Sequence, residues 1–189
     1  MNTPSSARGL TIIELMIVVA VLGVLIALVA PSMRGMISTQ RVRGVNAGLV
    51  TDLQFARGEA ARRNRDVSVA VQASCYVVYL DVGLPATACD CTRTPGSNVC
   101  TSPQVEIKTV QLPAGDGLTL GMISGNGSIA IFSRSSGALL PTAAGGSVPN
   151  AFEVEVSGTP RGKLRTRVAA SGRPSVCTPD ASISGVSAC

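Results

Sequence analysis

The chain has no histidine, no tryptophan, only two lysines and five aromatic residues among its 189 positions. Each shortage removes something. Without an imidazole, activation of a serine or cysteine nucleophile by a neighbouring histidine is excluded. The eleven carboxylates are scattered, and only Glu153 and Glu155 share one face of a predicted strand. No catalytic constellation is visible, so neither an enzymatic activity nor a cofactor is expected. The aromatics (Phe55, Tyr76, Tyr79, Phe132 and Phe152) are too few to fill a core. Val, Ile, Leu and Ala must do so, which favours strands. The basic side chains are almost all arginine, and the formal charge of +5 permits an anionic partner without requiring one.

What is present begins with a long apolar run, Leu10 to Met33, broken by a single charge at Glu14. As a helix it would extend about 36 Å, more than the ~30 Å hydrocarbon core of a bilayer. A cleaved secretory signal has an apolar region of only about 7–15 residues followed by a small-x-small site. Here Leu28 stands where a cut after Ala30 would need a small residue. A lone carboxylate at mid-bilayer costs roughly 2.5–3.5 kcal/mol, less near an end, so Glu14 requires a compensating partner.

All six cysteines, Cys75, Cys89, Cys91, Cys100, Cys177 and Cys189, follow that run. An even number in a loop-rich segment beyond a membrane span implies disulfides in an oxidising compartment. A metal set of Cys89-x-Cys91 with Cys100 and Cys75 fits no zinc spacing, and no metal is expected. Cys177 and Cys189 lie far from the others and close a short loop holding Pro179 and Gly185, so they are expected to pair. The remaining four should then pair around residues 85–103, with Cys89 and Cys91 too near in sequence to join each other.

After Pro31 the helical period resumes, with Val42, Val45, Leu49, Leu53, Ala56 and Ala60 forming an apolar stripe. One long helix is predicted to about Asn64, with Gly23 and Pro31 its weak points. From Asp66 the period changes to two. Strands are predicted over Val67 to Val71, Cys75 to Leu80, and at 105–112, 118–123, 128–133, 152–157 and 163–169, with a loop at 85–103. Helix followed by strands predicts an α+β fold, a long N-terminal helix packed on one antiparallel β-sheet.

Gly9 followed by Leu10-Thr11-Ile12-Ile13-Glu14-Leu15-Met16 resembles the signal of type IV prepilins and type II secretion pseudopilins. The resemblance implies four parts. Residues 1–9 are a leader cut after Gly9 by a membrane prepilin peptidase. Residues 10–33 form a transmembrane helix that later joins the filament core, residues 34–65 its amphipathic continuation, and residues 66–189 the disulfide-containing β-domain. It further implies N-methylation of Leu10, which stands where the family usually has Phe. Glu14 would pair with the amino terminus of a neighbouring pilin subunit, an arrangement that offsets the desolvation of both charges. Before assembly the chain would cross the inner membrane once with its β-domain in the periplasm, and afterwards lie in the pilus at the cell surface. Arg34, Arg41 and Arg43 after the span, against Arg8 before it, point the other way by a bare positive-inside count. Cysteine usage and the leader outweigh that count.

Three further stretches, residues 49–69, residues 128–139 and Gly172-Arg173, resemble in order the GspH/FimT-type minor pilins and pseudopilins. The resemblance implies one of three roles: a minor pilin that primes a pilus near its tip, a DNA-binding minor pilin for transformation, or a minor pseudopilin of type II secretion. Lys163, Arg165 and Arg167 alternate along one predicted strand, with Arg161 before them and Arg173 on the turn after. These five are the candidate contacts to double-stranded DNA, and without interleaved aromatics any binding would be to phosphates and blind to sequence. The DNA-binding members carry Gly-Arg-x-Arg at this turn, whereas here Ser175 takes the place of the second arginine.

Overall fold

The computed structural model describes residues 11–81, 83, 89–96, 99–124, 128–142 and 145–189, with the side chains of 28–32 and 34 outside the description. A single helix, α1, runs from Ile12 to Arg63 through Gly23 and Pro31. Thr11 caps its start, accepting the Glu14 N–H at 3.3 Å. Asn64 ends it in the left-handed region (φ 50°), and Arg65 returns its N–H to the Ala60 carbonyl.

The helix has two unlike halves. From Ile12 to Ile26 its large apolar side chains are at least half exposed among the described residues. From Ser38 onward one stripe is buried: Val42, Leu49, Leu53, Ala56 and Ala60. Polar clamps interleave with that stripe. The Ser38 hydroxyl bonds the Arg161 and Thr159 carbonyls, and the Thr166 hydroxyl donates to Asn46. Asp52 accepts from Tyr76 at 2.8 Å and from Lys108 at 2.6 Å. Burial and the Asp52 carboxylate both push the Tyr76 hydroxyl pKa far up, so it stays protonated and keeps donating.

Among the described residues nine strands follow: β1 (Val67–Gln72), β2 (Cys75–Leu80), β3 (Val105–Gln111), β4 (Leu118–Ser124), β5 (Ile129–Phe132), β6 (Leu139–Leu140), β7 (Ala151–Gly158), β8 (Lys163–Ala169) and β9 (Pro174–Cys177). The α+β architecture expected from the sequence is present, but the strands form two antiparallel sheets rather than one, ordered β3-β2-β1-β5-β6 and β4-β7-β8-β9. Single bonds bridge the two, from Leu120 N–H to the Ala73 carbonyl and from Leu139 N–H to the Ala170 carbonyl. The helix stripe packs on both sheets, chiefly against β7, β8 and β1.

The run CYVVYL of β2 lacks a polar alternate because both faces are covered. Tyr76, Val78 and Leu80 belong to the main core beneath the helix, whereas Cys75, Val77 and Tyr79 join Cys89, Cys91 and Val99 in a second cluster outside it. That cluster is pinned by the disulfides Cys75–Cys91 and Cys89–Cys100, and a third joins Cys177 to Cys189. The described residues between 89 and 103 hold turns and no strand.

Candidate functional site

The amino-terminal candidates divide at the edge of the described residues. Gly9 and Leu10, the expected cleavage and methylation sites, lie outside them. Glu14 sits exposed in the first helical turn, where the helix dipole favours a carboxylate. Thr11 as its cap was a signal open to the sequence, a Thr three residues before a Glu, that the apolar run obscured. Among the described residues no helix is long and apolar enough to cross a membrane. The run from Leu10 to Met33 continues past those residues: position 10 and the side chains of 28–32 are outside the description.

The cationic strand is not a bare basic face. In the register of β7 and β8, Arg167 lies opposite Glu153 and Arg165 opposite Glu155. Arg165 reaches Glu155 at 3.2 Å and Glu153 at 3.9 Å, Arg167 reaches Glu153 at 3.3 Å, and Lys163 reaches Glu155 at 3.9 Å. Three cations thus interdigitate with two carboxylates. Arg161 is off this ladder, on the turn between β7 and β8, and its stem lies over Gly35 of the helix. Arg173 is exposed on the turn between β8 and β9. The five cations proposed together from the sequence therefore occupy three separate places.

Arg173 has other company. A Cβ on Gly172 would overlap the Gly137 carbonyl, and one on Gly137 would overlap the Arg57 side chain. The helix end, the turn between β5 and β6 and the turn between β8 and β9 therefore meet at one point. Arg134, on the middle of these, gives its backbone N–H to Asp66, which follows Arg65. Among the described residues, Arg57, Arg65, Arg134 and Arg173 have no carboxylate partner. Arg62 and Arg63 beside them both bond Glu59, and these two guanidinium groups hold its pKa down to about 2 against its burial. Sequence reading missed this end because its arginines are separated by up to 116 positions and meet only through the glycine contacts.

An exposed apolar half-helix, continuous with a half docked on a disulfide-tied antiparallel β-domain, defines a pilin-type protein. The family model described as type II transport protein GspH matches residues 47–172, and that of the prokaryotic N-terminal methylation motif matches residues 4–30. The chain belongs to the GspH family, that of minor type IV pilins and pseudopilins. No curated protein matches the sequence significantly. Among solved structures, the type IV minor pilin FimU of Pseudomonas aeruginosa is similar in fold, with a TM-score of 0.51 at 14% identity over 72% of this chain and 88% of that one.

Proposed function

We propose that this chain is a minor type IV pilin that helps to assemble and prime a pilus and sits near its tip. The observation that carries the reading is the two-part helix: a bare apolar half opening on Glu14, and a half clamped to the β-domain. Leader removal at Gly9 would place an ammonium at Leu10, one turn from Glu14, and a neighbouring subunit's terminus would meet that carboxylate in a water-poor bundle. The bare half would lie in the inner membrane before assembly and among other pilin helices afterwards. On this reading Arg41 and Arg43 are domain residues, since Arg41 pairs with Asp116 at 2.9 Å and Arg43 bonds the Ser184 carbonyl, so neither works as a free cytoplasmic anchor.

Mass spectrometry of native protein should find a chain beginning at Leu10 and methylated there. Glu14→Ala should still be cleaved and inserted yet be lost from sheared pili; normal incorporation would remove the charge-pairing argument. Gold-labelled antibody should decorate fibre ends. Label along the whole fibre would refute the tip position, and absence from pili with a secretion defect on deletion would favour the pseudopilin role.

The unpaired arginine end supports a second reading, capture of double-stranded DNA without regard to sequence. If Arg57, Arg65, Arg134 and Arg173 all meet phosphates, the log–log salt slope of binding should be about −3.6. Arg134→Gln with Arg173→Gln should flatten it by about 1.8, and Arg165→Gln with Arg167→Gln should leave it nearly unchanged. The reverse pattern would return the DNA site to β8, and no binding at low salt would leave the structural role alone.

A further inference from the structure

Two more arginines lack a carboxylate partner among the described residues, and they lie at the opposite end of the domain. Arg43 and Arg161 line a groove of about 630 Å³ between the helix, the turn between β7 and β8, and the C-terminal loop. Its walls include Met36, Thr39, Gln40 and Ser184 and, among the described residues, no carboxylate. The nearest acid in sequence, Asp180, is occupied: the Ser182 N–H and the Thr178 hydroxyl both donate to it.

Both arginines are held in place. Ser38 fixes the Arg161 carbonyl at 2.7 Å, and the Arg161 stem rests over Gly35, where a side chain would stand in contact with it. Arg43 donates through one terminal nitrogen to the Ser184 carbonyl at 2.6 Å, while its Nε is buried with no partner. One terminal nitrogen of Arg43 is thus spent on a carbonyl, and what remains of its planar guanidinium, with that of Arg161, is suited to a phosphate.

The groove's position selects the source of that phosphate. Gly35 stands about 3 Å and Arg43 about 15 Å along the helix past Met33, where the apolar run ends. The headgroup layer adds about 5–8 Å beyond the hydrocarbon on each side, and helical side chains lean back toward the N-terminus. The mouth of the groove, where the exposed Met36 stands and the Arg161 stem lies over Gly35, therefore opens at headgroup depth, and Arg43 closes its outer end, its side chain leaning back toward the mouth. We infer that this groove binds the phosphodiester headgroup of an anionic phospholipid while the subunit waits in the membrane, and so fixes how the domain sits on the bilayer before assembly. The inference rests on the anchoring proposed above.

The test uses the full chain in phosphatidylcholine vesicles carrying a minority of phosphatidylglycerol with a photoactivatable headgroup, the cross-links being mapped by peptide mass spectrometry. Adducts should fall on residues 36–43 and 160–161. Each basic side chain near an anionic surface is worth about fivefold in partitioning, so Arg43→Gln with Arg161→Gln should cut the yield on the order of 20-fold. Arg161→Gln alone should cut it about fivefold, and because no partner of that side chain is lost, it guards against misfolding. Arg134→Gln with Arg173→Gln at the far end should leave the yield unchanged. Equal labelling in the groove variants overturns the inference. So does competition by free inorganic phosphate, which would mark a site for a soluble anion. So would unchanged labelling together with loss of the double variant from pili, which would assign the groove to a neighbouring subunit's carboxylate. Carbonate extraction separates the two levels: a chain that washes off removes the anchoring and this inference together, whereas one that stays but is not labelled removes the inference only.

Discussion

The β8 ladder and the helix-end cluster are built from the same side chain and differ in what faces it. On β8, Glu153 and Glu155 stand across the sheet from Arg167 and Arg165, and the cations are spent on their neighbours. At the helix end, Arg57, Arg134 and Arg173 come from three distant segments brought together by contacts at Gly137 and Gly172, and among the described residues none of them pairs with a carboxylate: Glu59 is taken by Arg62 and Arg63, and Asp66 accepts the Arg134 backbone N–H. A row of arginines on a strand is therefore weak evidence of an anion site, since the neighbouring strand can neutralise it. A cluster assembled from turns is better evidence, because nothing in the fold requires it.

The largest effect that would break this contrast is expected at Gly172. Gly172 has a φ of 76°, and a Cβ there would run into the Gly137 carbonyl. Gly172→Ala should cost about 3 kcal/mol or more in denaturant unfolding, from strain and overlap together. Gly145 has nearly the same φ, 75°, with open space around it, so Gly145→Ala should cost only about 1–2 kcal/mol. Equal costs would mean that the convergence of the turns, and with it the arginine cluster, is not a packed feature.

The next effect tests the other side. The Arg165 side chain is 24% exposed and its Nε has no partner, so it depends on the two glutamates. Replacing both, Glu153→Gln with Glu155→Gln, should destabilise the chain by about 2 kcal/mol, below the 3–5 kcal/mol of a fully buried pair. The same variant should gain affinity for DNA and a steeper salt slope, because it frees three cations on one face. A variant as stable as the parent and no more basic in its binding would show that the ladder is not neutralised.

A smaller effect is expected from acid. Hydrogen bonds from Arg62 and Arg63 hold the Glu59 pKa at about 2 instead of 4.5. A depressed carboxylate contributes stability above its unfolded pKa and loses it as the pH falls through the folded one. Unfolding from pH 5 to about 2 should therefore show a loss of stability that is absent in Glu59→Gln, measured as the difference between the two curves. Parallel curves would mean that Arg62 and Arg63 are as free as their neighbours and belong to the cluster.

The sequence makes some of this legible and hides the rest for physical reasons. The helix stripe and the change of period at Asp66 are local patterns, and the observed helix ends at Arg63 within a residue of the expected limit. β6 has two residues and β9 begins with Pro174 on a sheet edge, so neither carries an alternation long enough to read. The split into two sheets depends on which strands bond, a non-local fact. The candidate sites follow the same rule: the cysteine spacings are local and lead to the observed pairs, and Glu14 is singled out by a local pattern, whereas Arg57 and Arg173 become neighbours only through the packing of two turns.

The smallest effect is expected at the position joining the two regions. Ser175 lies on β9 opposite Arg167 and two residues after Arg173, with its hydroxyl on the Arg167 carbonyl at 3.2 Å. Ser175→Arg supplies the arginine that the DNA-binding members carry, and it sets like charges across a strand pair. That juxtaposition should cost about 0.2–1 kcal/mol of stability. It should also extend the unpaired cluster toward β8, steepening the salt slope of DNA binding by about 0.9. Adding Arg173→Gln to this variant should return the slope to the parent value, because one phosphate contact is gained and one lost. A slope that Ser175→Arg steepens even when Arg134 and Arg173 are both gone would mean that β8 and β9 bind phosphate by themselves, and the contrast between the two regions would fail.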